Sequence, residues 1–260
     1  MAGRVRRLLK ANLPKTVYEI LRVFYPVKNL LEVANFLIDK NLNISFSQKL
    51  QILRKSHLIS THVESPHSMQ EMLTFISHIL KIPKEKKGVI VEAGCYKGGS
   101  SAKFSMAASI VGRELVIFDS FMGIPQNSEP QQQTIFGFVT KFAEGSYCGS
   151  LEEVKSNIAK FGSISSCRFI EGFFEDTMPS FAEPVCAAYI DVDLVSSTRT
   201  CLKYLFPLLE KDCSIYSQDG HLPLVTDLLN DDCFWESEIG ISKPRIIGLE
   251  KQKLVEIVKR

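Results

Sequence analysis

Between residues 88 and 217, five short runs rich in β-branched and aromatic residues alternate with stretches of helical periodicity, which sharply restricts the folds open to the chain. The runs are 89–93 (Val-Ile-Val-Glu-Ala), 115–119 (Leu-Val-Ile-Phe-Asp), 168–171 (Arg-Phe-Ile-Glu), 186–191 (Cys-Ala-Ala-Tyr-Ile-Asp) and 213–217 (Cys-Ser-Ile-Tyr-Ser). Helical stretches fit at 99–111, 150–161 and 196–209. Strands and helices in this order bury both faces of a mostly parallel sheet between helical layers. Arg245–Leu249 and Leu254–Val258, joined by Glu-Lys-Gln-Lys, read as an antiparallel hairpin that finishes the sheet. An ordinary dinucleotide-binding fold does not end that way.

Ahead of the sheet lies a helical extension. Val17, Ile20, Leu21 and Phe24, then Leu30, Leu31, Ala34, Leu37 and Ile38, recur at helical spacing, with Pro14 and Pro26 as breaks. A further helix is expected at 68–80, where Met69, Met72, Leu73, Ile76 and Leu80 share a face and Pro83 closes the segment. The expected organisation is a helical extension over 1–84 and a sheet domain over 85–260. An apolar face left open on the extension would suit a homodimer.

A net charge of +2 over 260 residues gives no case for nucleic acid. The charge is uneven, however: residues 1–30 carry Arg4, Arg6, Arg7, Lys10, Lys15, Arg22 and Lys28 against Glu19 alone. This segment is either a solvated face or a contact with an anionic membrane surface or partner. The seven cysteines show no paired spacing and read as reduced thiols, mostly buried. No apolar run is long enough to span a bilayer and no secretory leader is evident, so a cytoplasmic location is expected, with membrane association through residues 1–30 as an added contact.

Open parallel sheets bind ligands at the carboxyl ends of their strands. Glu92 and Gly94 close the first run, and Gly94, Gly98 and Gly99 permit a tight turn before Ser100 and Ser101 open the next helix. Asp119 ends the second run, where a carboxylate can accept from both hydroxyls of a ribose. The spacing Gly-x-x-x-Gly-Gly differs from the Gly-x-Gly-x-x-Gly of nicotinamide enzymes, so a nucleoside-type ligand without a cradled pyrophosphate is expected. Asp191 and Asp219 end adjacent inner strands, where their carboxylates can converge on a hard cation such as Mg²⁺. Asp193 is near enough to act as general base, or else caps the following helix; Asp219 holds the cation, or else forms a turn with Gly220. His221 is a second base, an electrophile, or a structural or exposed residue. His57, His62, His67 and His78 lack partners at zinc-ligand spacing. Phe234 and Trp235 are expected to pack the terminal hairpin. The segment 121–149 is too long for a simple connection and reads as a lid.

Taken together, VEAGCYKGGSS (91–101), VIFDSFMGIP (116–125), GSLEEVKSNIAKFG (149–162), IEGFFEDTMP (170–179), YIDVDLVSSTRTCLKYLFPLL (189–209) and the QDG of 218–220 resemble the macrocin O-methyltransferase (TylF/MycF-like) family. The likeness runs from about Thr61 to the C-terminus. It implies a class I methyltransferase fold, a Rossmann-like and mostly parallel seven-stranded sheet, and S-adenosylmethionine (SAM) as methyl donor with Mg²⁺ assisting transfer to a hydroxyl of a sugar or other small-molecule acceptor. Glu92, Gly94 and Gly98 would line the methionine end of SAM, and Tyr96, Lys97, Ser100, Ser101, Ser120 and Gly172 would also belong to the cofactor site. Asp119 would meet the ribose, Glu175 with Asp176 the adenine side, and Asp191 both cofactor and metal. Asp191, Asp219 and the neighbouring Gln218 would form the metal site, and Asp193 resembles the family's base. Two departures stand out: Gln218-Asp219 replaces the usual Asp-Asp, which weakens the expected metal binding, and Val192 and Val195 replace Gly and Tyr beside the acceptor.

Overall fold

A computed structural model describes residues 29–260. The expected helices before residue 29, and every basic residue of the 1–30 segment, lie outside the described residues. Among the described residues, three helices precede the sheet: α1 (Leu30–Ile38), α2 (Phe46–His62) and α3 (Met69–Lys81). Capping boxes start two of them, Ser45 with Gln48 for α2 and Ser68 with Glu71 for α3. Each satisfies two amide donors that the first helical turn leaves free. The apolar stripe of α3, including Met72, Phe75, Ile76 and Ile79, is fully buried. The helix α2 has no comparable stripe, and periodicity alone did not reveal it. It is held in part by Lys49, whose buried ammonium donates to the Leu37 and Asp39 carbonyls.

The sheet strands are β1 (Val89–Ala93), β2 (Leu115–Asp119), β5 (Cys167–Glu171), β6 (Val185–Ile190), β7 (Leu209–Ser217), β8 (Arg245–Ile247) and β9 (Val255–Val258), in the spatial order β5-β2-β1-β6-β7-β9-β8. The short β3 (Gln132–Gln133) and β4 (Val139–Thr140) form a separate hairpin inside the lid. Pairings from β5 through β7 are parallel, and β9 runs antiparallel to both β7 and β8. All six residues of β6 are buried, as an inner strand covered on both faces requires. Helices α4 (Gly99–Val111), α5 (Leu151–Phe161), the single turn α6 (Phe174–Thr177), α7 (Val195–Leu208) and α8 (Pro223–Asn230) connect the strands. Progression reverses between β1 and β6: β2 and β5 lie to one side, β7 and the hairpin to the other. A crevice therefore opens at the carboxyl ends of β1 and β6.

One apolar core joins the extension to the sheet. Phe75 of α3 meets Phe104 of α4 edge-on at 4.8 Å, and both rings approach Tyr189 of β6. Phe234 and Trp235, expected against the terminal hairpin, pack on α7. Trp235 sits edge-on to Phe206 at 5.4 Å and donates from Nε1 to the Leu229 carbonyl at 3.0 Å, while the Arg199 guanidinium covers Phe234. Four of the seven cysteines are buried and none forms a disulfide.

Candidate active site

Gly94 makes the crevice possible. Its φ of +83° suits glycine, and a Cβ there would lie 2.0 Å from the Asp191 carbonyl oxygen. The turn can thus press against the end of β6 while the following loop bends away. Asp119 fixes that loop: one carboxylate oxygen accepts from the Cys95 amide at 2.7 Å and the other from the Phe121 amide at 2.8 Å. Gly98, with φ +78°, then leads into α4.

A cleft opens above these strand ends, walled by the glycine turn, the lid and the ends of β1, β2 and β6. Of the positions expected around the cofactor, Gly94, Tyr96, Asp119, Ser120, Glu175 and Asp191 line it. The others are elsewhere. Glu92, Ser100 and Ser101 are buried beneath the turn. Lys97 pairs with Glu64 at 2.8 Å, Gly98 packs on Val154, the Gly172 amide donates to the Asp119 carbonyl, and Asp176 is exposed. Both carboxylate oxygens of Glu92 lack hydrogen-bond partners. Burial pushes that carboxyl up to about 8, against the pull of the Ser100 and Ser101 hydroxyls beside it.

Asp191, Asp193 and Asp219 come together at the floor, each offering an oxygen within 4.8 Å of the others. Asp219 is fully buried; one of its oxygens accepts from the Val192 and Asp193 amides at 3.1 and 3.0 Å, and the other has no partner. Asp193 itself adopts a left-handed backbone, φ +62°. The alternative role as helix cap falls to another residue. Glu129, from the lid, accepts from the Val195 and Ser196 amides at 3.1 and 3.0 Å and from the Ser196 hydroxyl. Nothing local in the sequence marked it.

Electrostatics separate the three acids. Burial, then the charges of Asp219 and Asp191, drive the Asp193 carboxyl well above the usual carboxylate range. Burial likewise lifts Asp219 to about 7. Burial also raises Asp191, but the charge and hydrogen bond of His67 outweigh it and hold that carboxyl below its ordinary value. His67 Nε2 lies 2.6 Å from Asp191 Oδ2, and Ser65 Oγ lies 2.9 Å from the other ring nitrogen. His67, set aside in the sequence for want of zinc partners, thus belongs to the site through a carboxylate 124 residues away. Lys253, from the β8–β9 connection, also lines the cleft, and its charge draws all three acids downward.

Three converging carboxylates, one of which has a buried oxygen without a partner, fit a hard divalent cation. Gln218 does not join them: it is fully buried and its amide oxygen accepts from the Tyr189 hydroxyl at 2.7 Å. His221 lines the cleft with Nδ1 unpartnered, and burial brings its imidazole down to about 4, so the ring is neutral at physiological pH.

A seven-stranded sheet of this order, with the glycine turn and acidic strand ends meeting in one cleft, defines a class I methyltransferase. Solved structures share the fold: the O-methyltransferase NovP (18% identity, 82% of this chain and 99% of that chain covered, TM-score 0.64) and the calicheamicin methyltransferase CalS11 (16%, 83% and 94%, 0.56). A third is the SAH-bound Podospora anserina methyltransferase PaMTH1 (14%, 80% and 87%, 0.50). Among curated proteins none matches by sequence. The model of the macrocin O-methyltransferase (TylF) family matches residues 65–221, and the chain belongs to that family. It is a SAM-dependent O-methyltransferase.

Proposed function

We propose that the protein methylates a hydroxyl of a sugar or glycosylated small molecule, with Mg²⁺ held by Asp191 and Asp219. The observation that carries this reading is the convergence of Asp191, Asp193 and Asp219 in the cleft that Gly94 and Asp119 line. In this reading Asp119 receives the ribose, and Tyr96 and Glu175 flank the remainder of the cofactor. When bound, the cation supplies positive charge that offsets the converging carboxylates and makes a neighbouring hydroxyl more acidic. Asp193 accepts the hydroxyl proton as the oxygen takes the methyl group from sulfur, leaving S-adenosylhomocysteine and the methyl ether. The lid walls exclude water and hold the two reactants in line.

His221 motivates a second reading, in which the unpartnered Nδ1 of its neutral imidazole accepts the proton without a metal. Methyl transfer to a panel of glycosides, followed by mass spectrometry after chelation and after Mg²⁺ is returned, separates the two. Loss on chelation and recovery with Mg²⁺ supports the metal; undiminished transfer in chelator rejects it and leaves His221 as the base.

A further inference from the structure

The lid is strapped to itself at its neck. The Ile124 amide donates to the Ser146 carbonyl and the Gly145 amide to the Ile124 carbonyl, each at 2.9 Å, and a Cβ on Gly123 would collide with the Ser146 carbonyl. Gly123 and Gly145 take positive φ, +80° and +75°, at little cost. Tyr147 follows with φ +55°, a left-handed backbone uncommon for residues other than glycine, asparagine and aspartate. Such a conformation persists only where its surroundings impose it, and it concentrates at functional sites.

The strained turn directs one ring. Tyr147 lines the cleft, edge-on to Tyr96 at 5.7 Å. Tyr96 stands on the glycine turn, and Tyr147 faces it from the lid. Burial, then the charges of Asp193 and Asp191, raise the Tyr147 phenol above its usual value, so the ring also stands within reach of the acids on the floor. Packing does not account for it. Phe142, another lid aromatic in the cleft wall, rests against the apolar core, whereas Tyr147 does not and is 49% exposed.

A flat apolar face held in the cleft and left half bare is a seat for the ring of another molecule. Aromatic faces carry partial negative charge and the C–H bonds on one side of a sugar ring partial positive charge, so the two stack and leave the sugar's hydroxyls at the rim. Resting on the acceptor reading given above, we propose that Tyr147 is the specificity-determining platform on which the acceptor's ring lies, setting the hydroxyl to be methylated against Asp193. A platform that recognises a ring face selects cyclic acceptors over open-chain polyols.

Initial rates with saturating SAM and Mg²⁺ test this on a panel of glycosides, cyclohexanols and open-chain polyols. Tyr147→Gly removes the ring and accepts the positive φ without strain, so the neck is kept. For the cyclic acceptor that wild type methylates, this variant is expected to raise KM about tenfold or more, with S-adenosylhomocysteine affinity by calorimetry equal to the wild type's. Tyr147→Phe, which restores the ring, is expected to recover most of the loss. The proposal is overturned if Tyr147→Gly keeps the wild-type KM, or if Tyr147→Phe is as impaired as Tyr147→Gly, since the hydroxyl and not the ring then acts. It is also overturned if Tyr147→Gly weakens S-adenosylhomocysteine binding, since the ring then serves the cofactor, or if wild type methylates open-chain polyols as well as cyclic acceptors. Transfer to cyclohexanols and to no glycoside defeats the sugar reading alone, and the same KM comparison still decides the platform. No transfer to any of the panel overturns both.

Discussion

Glu92→Gln is expected to flatten the dependence of stability on pH. Glu92 has no solvent exposure, and burial dominates the cost of ionising it, against the pull of the nearby Ser100 and Ser101 hydroxyls and with Asp191 and Asp119 adding repulsion. Its folded-state pKa is about 8 against a usual 4.5. The folded protein consequently keeps a proton that the unfolded chain surrenders. The stability linked to that proton is complete below pH 4.5 and is lost progressively as pH rises toward 8. At about 1.4 kcal/mol per pH unit, and allowing for partial titration at both ends, wild type should lose about 3 kcal/mol more than Glu92→Gln between about pH 5 and 8. Urea unfolding followed by circular dichroism at several pH values, with chelator present, measures the difference. Asp193 and Asp219 titrate in both proteins and largely cancel. Parallel stability curves for the two proteins across this range would refute the argument, because Glu92 would then ionise in the folded state without cost.

Asp119→Ala should weaken S-adenosylhomocysteine binding about tenfold or more by calorimetry, since the Cys95 and Phe121 amides lose their acceptor along with any ligand contact. Asp193→Ala should retain that affinity while turnover falls about 100-fold or more; full turnover would remove it as the base. His67→Ala should weaken Mn²⁺ binding, read by electron paramagnetic resonance, about tenfold through loss of the group that orients Asp191, with His67→Gln recovering part of the loss. Unchanged Mn²⁺ affinity in His67→Ala would show that the contact with Asp191 does not prepare it for a cation.

The sheet was legible because its inner strands announce themselves: 186–190 is an unbroken apolar run, and a strand buried on both faces has to be one. The convergence of Asp191 and Asp219 followed from the same logic, since adjacent parallel strands end side by side. What escaped the sequence was whatever depends on distant contacts. The Asp191 partner His67 and the helix cap Glu129 reach their targets across 124 and 66 residues, and neither carries a local signature. The helix α2 was hidden for a related reason: Lys49 and Ser56 occupy its buried face and blur the periodicity. Motif reading also marked whole segments where only some residues face the cleft. Gly94 and Tyr96 reach it, whereas Glu92, Ser100 and Ser101 lie underneath.

The lid invites substitution along most of its length, as long surface loops do. Glu129 is not free in that way. Its carboxylate closes the first turn of α7, immediately after Asp193, so the segment that frames the acceptor also completes the helix beside the reacting carboxylate. Swinging the lid outward would expose the amides of Val195 and Ser196, and the open and closed forms would differ in the integrity of that helix as well as in access. A family member could exchange the exposed lid residues to greet a new acceptor. Losing the acid at this position would uncouple the arrival of the acceptor from the ordering of the groups that act on it.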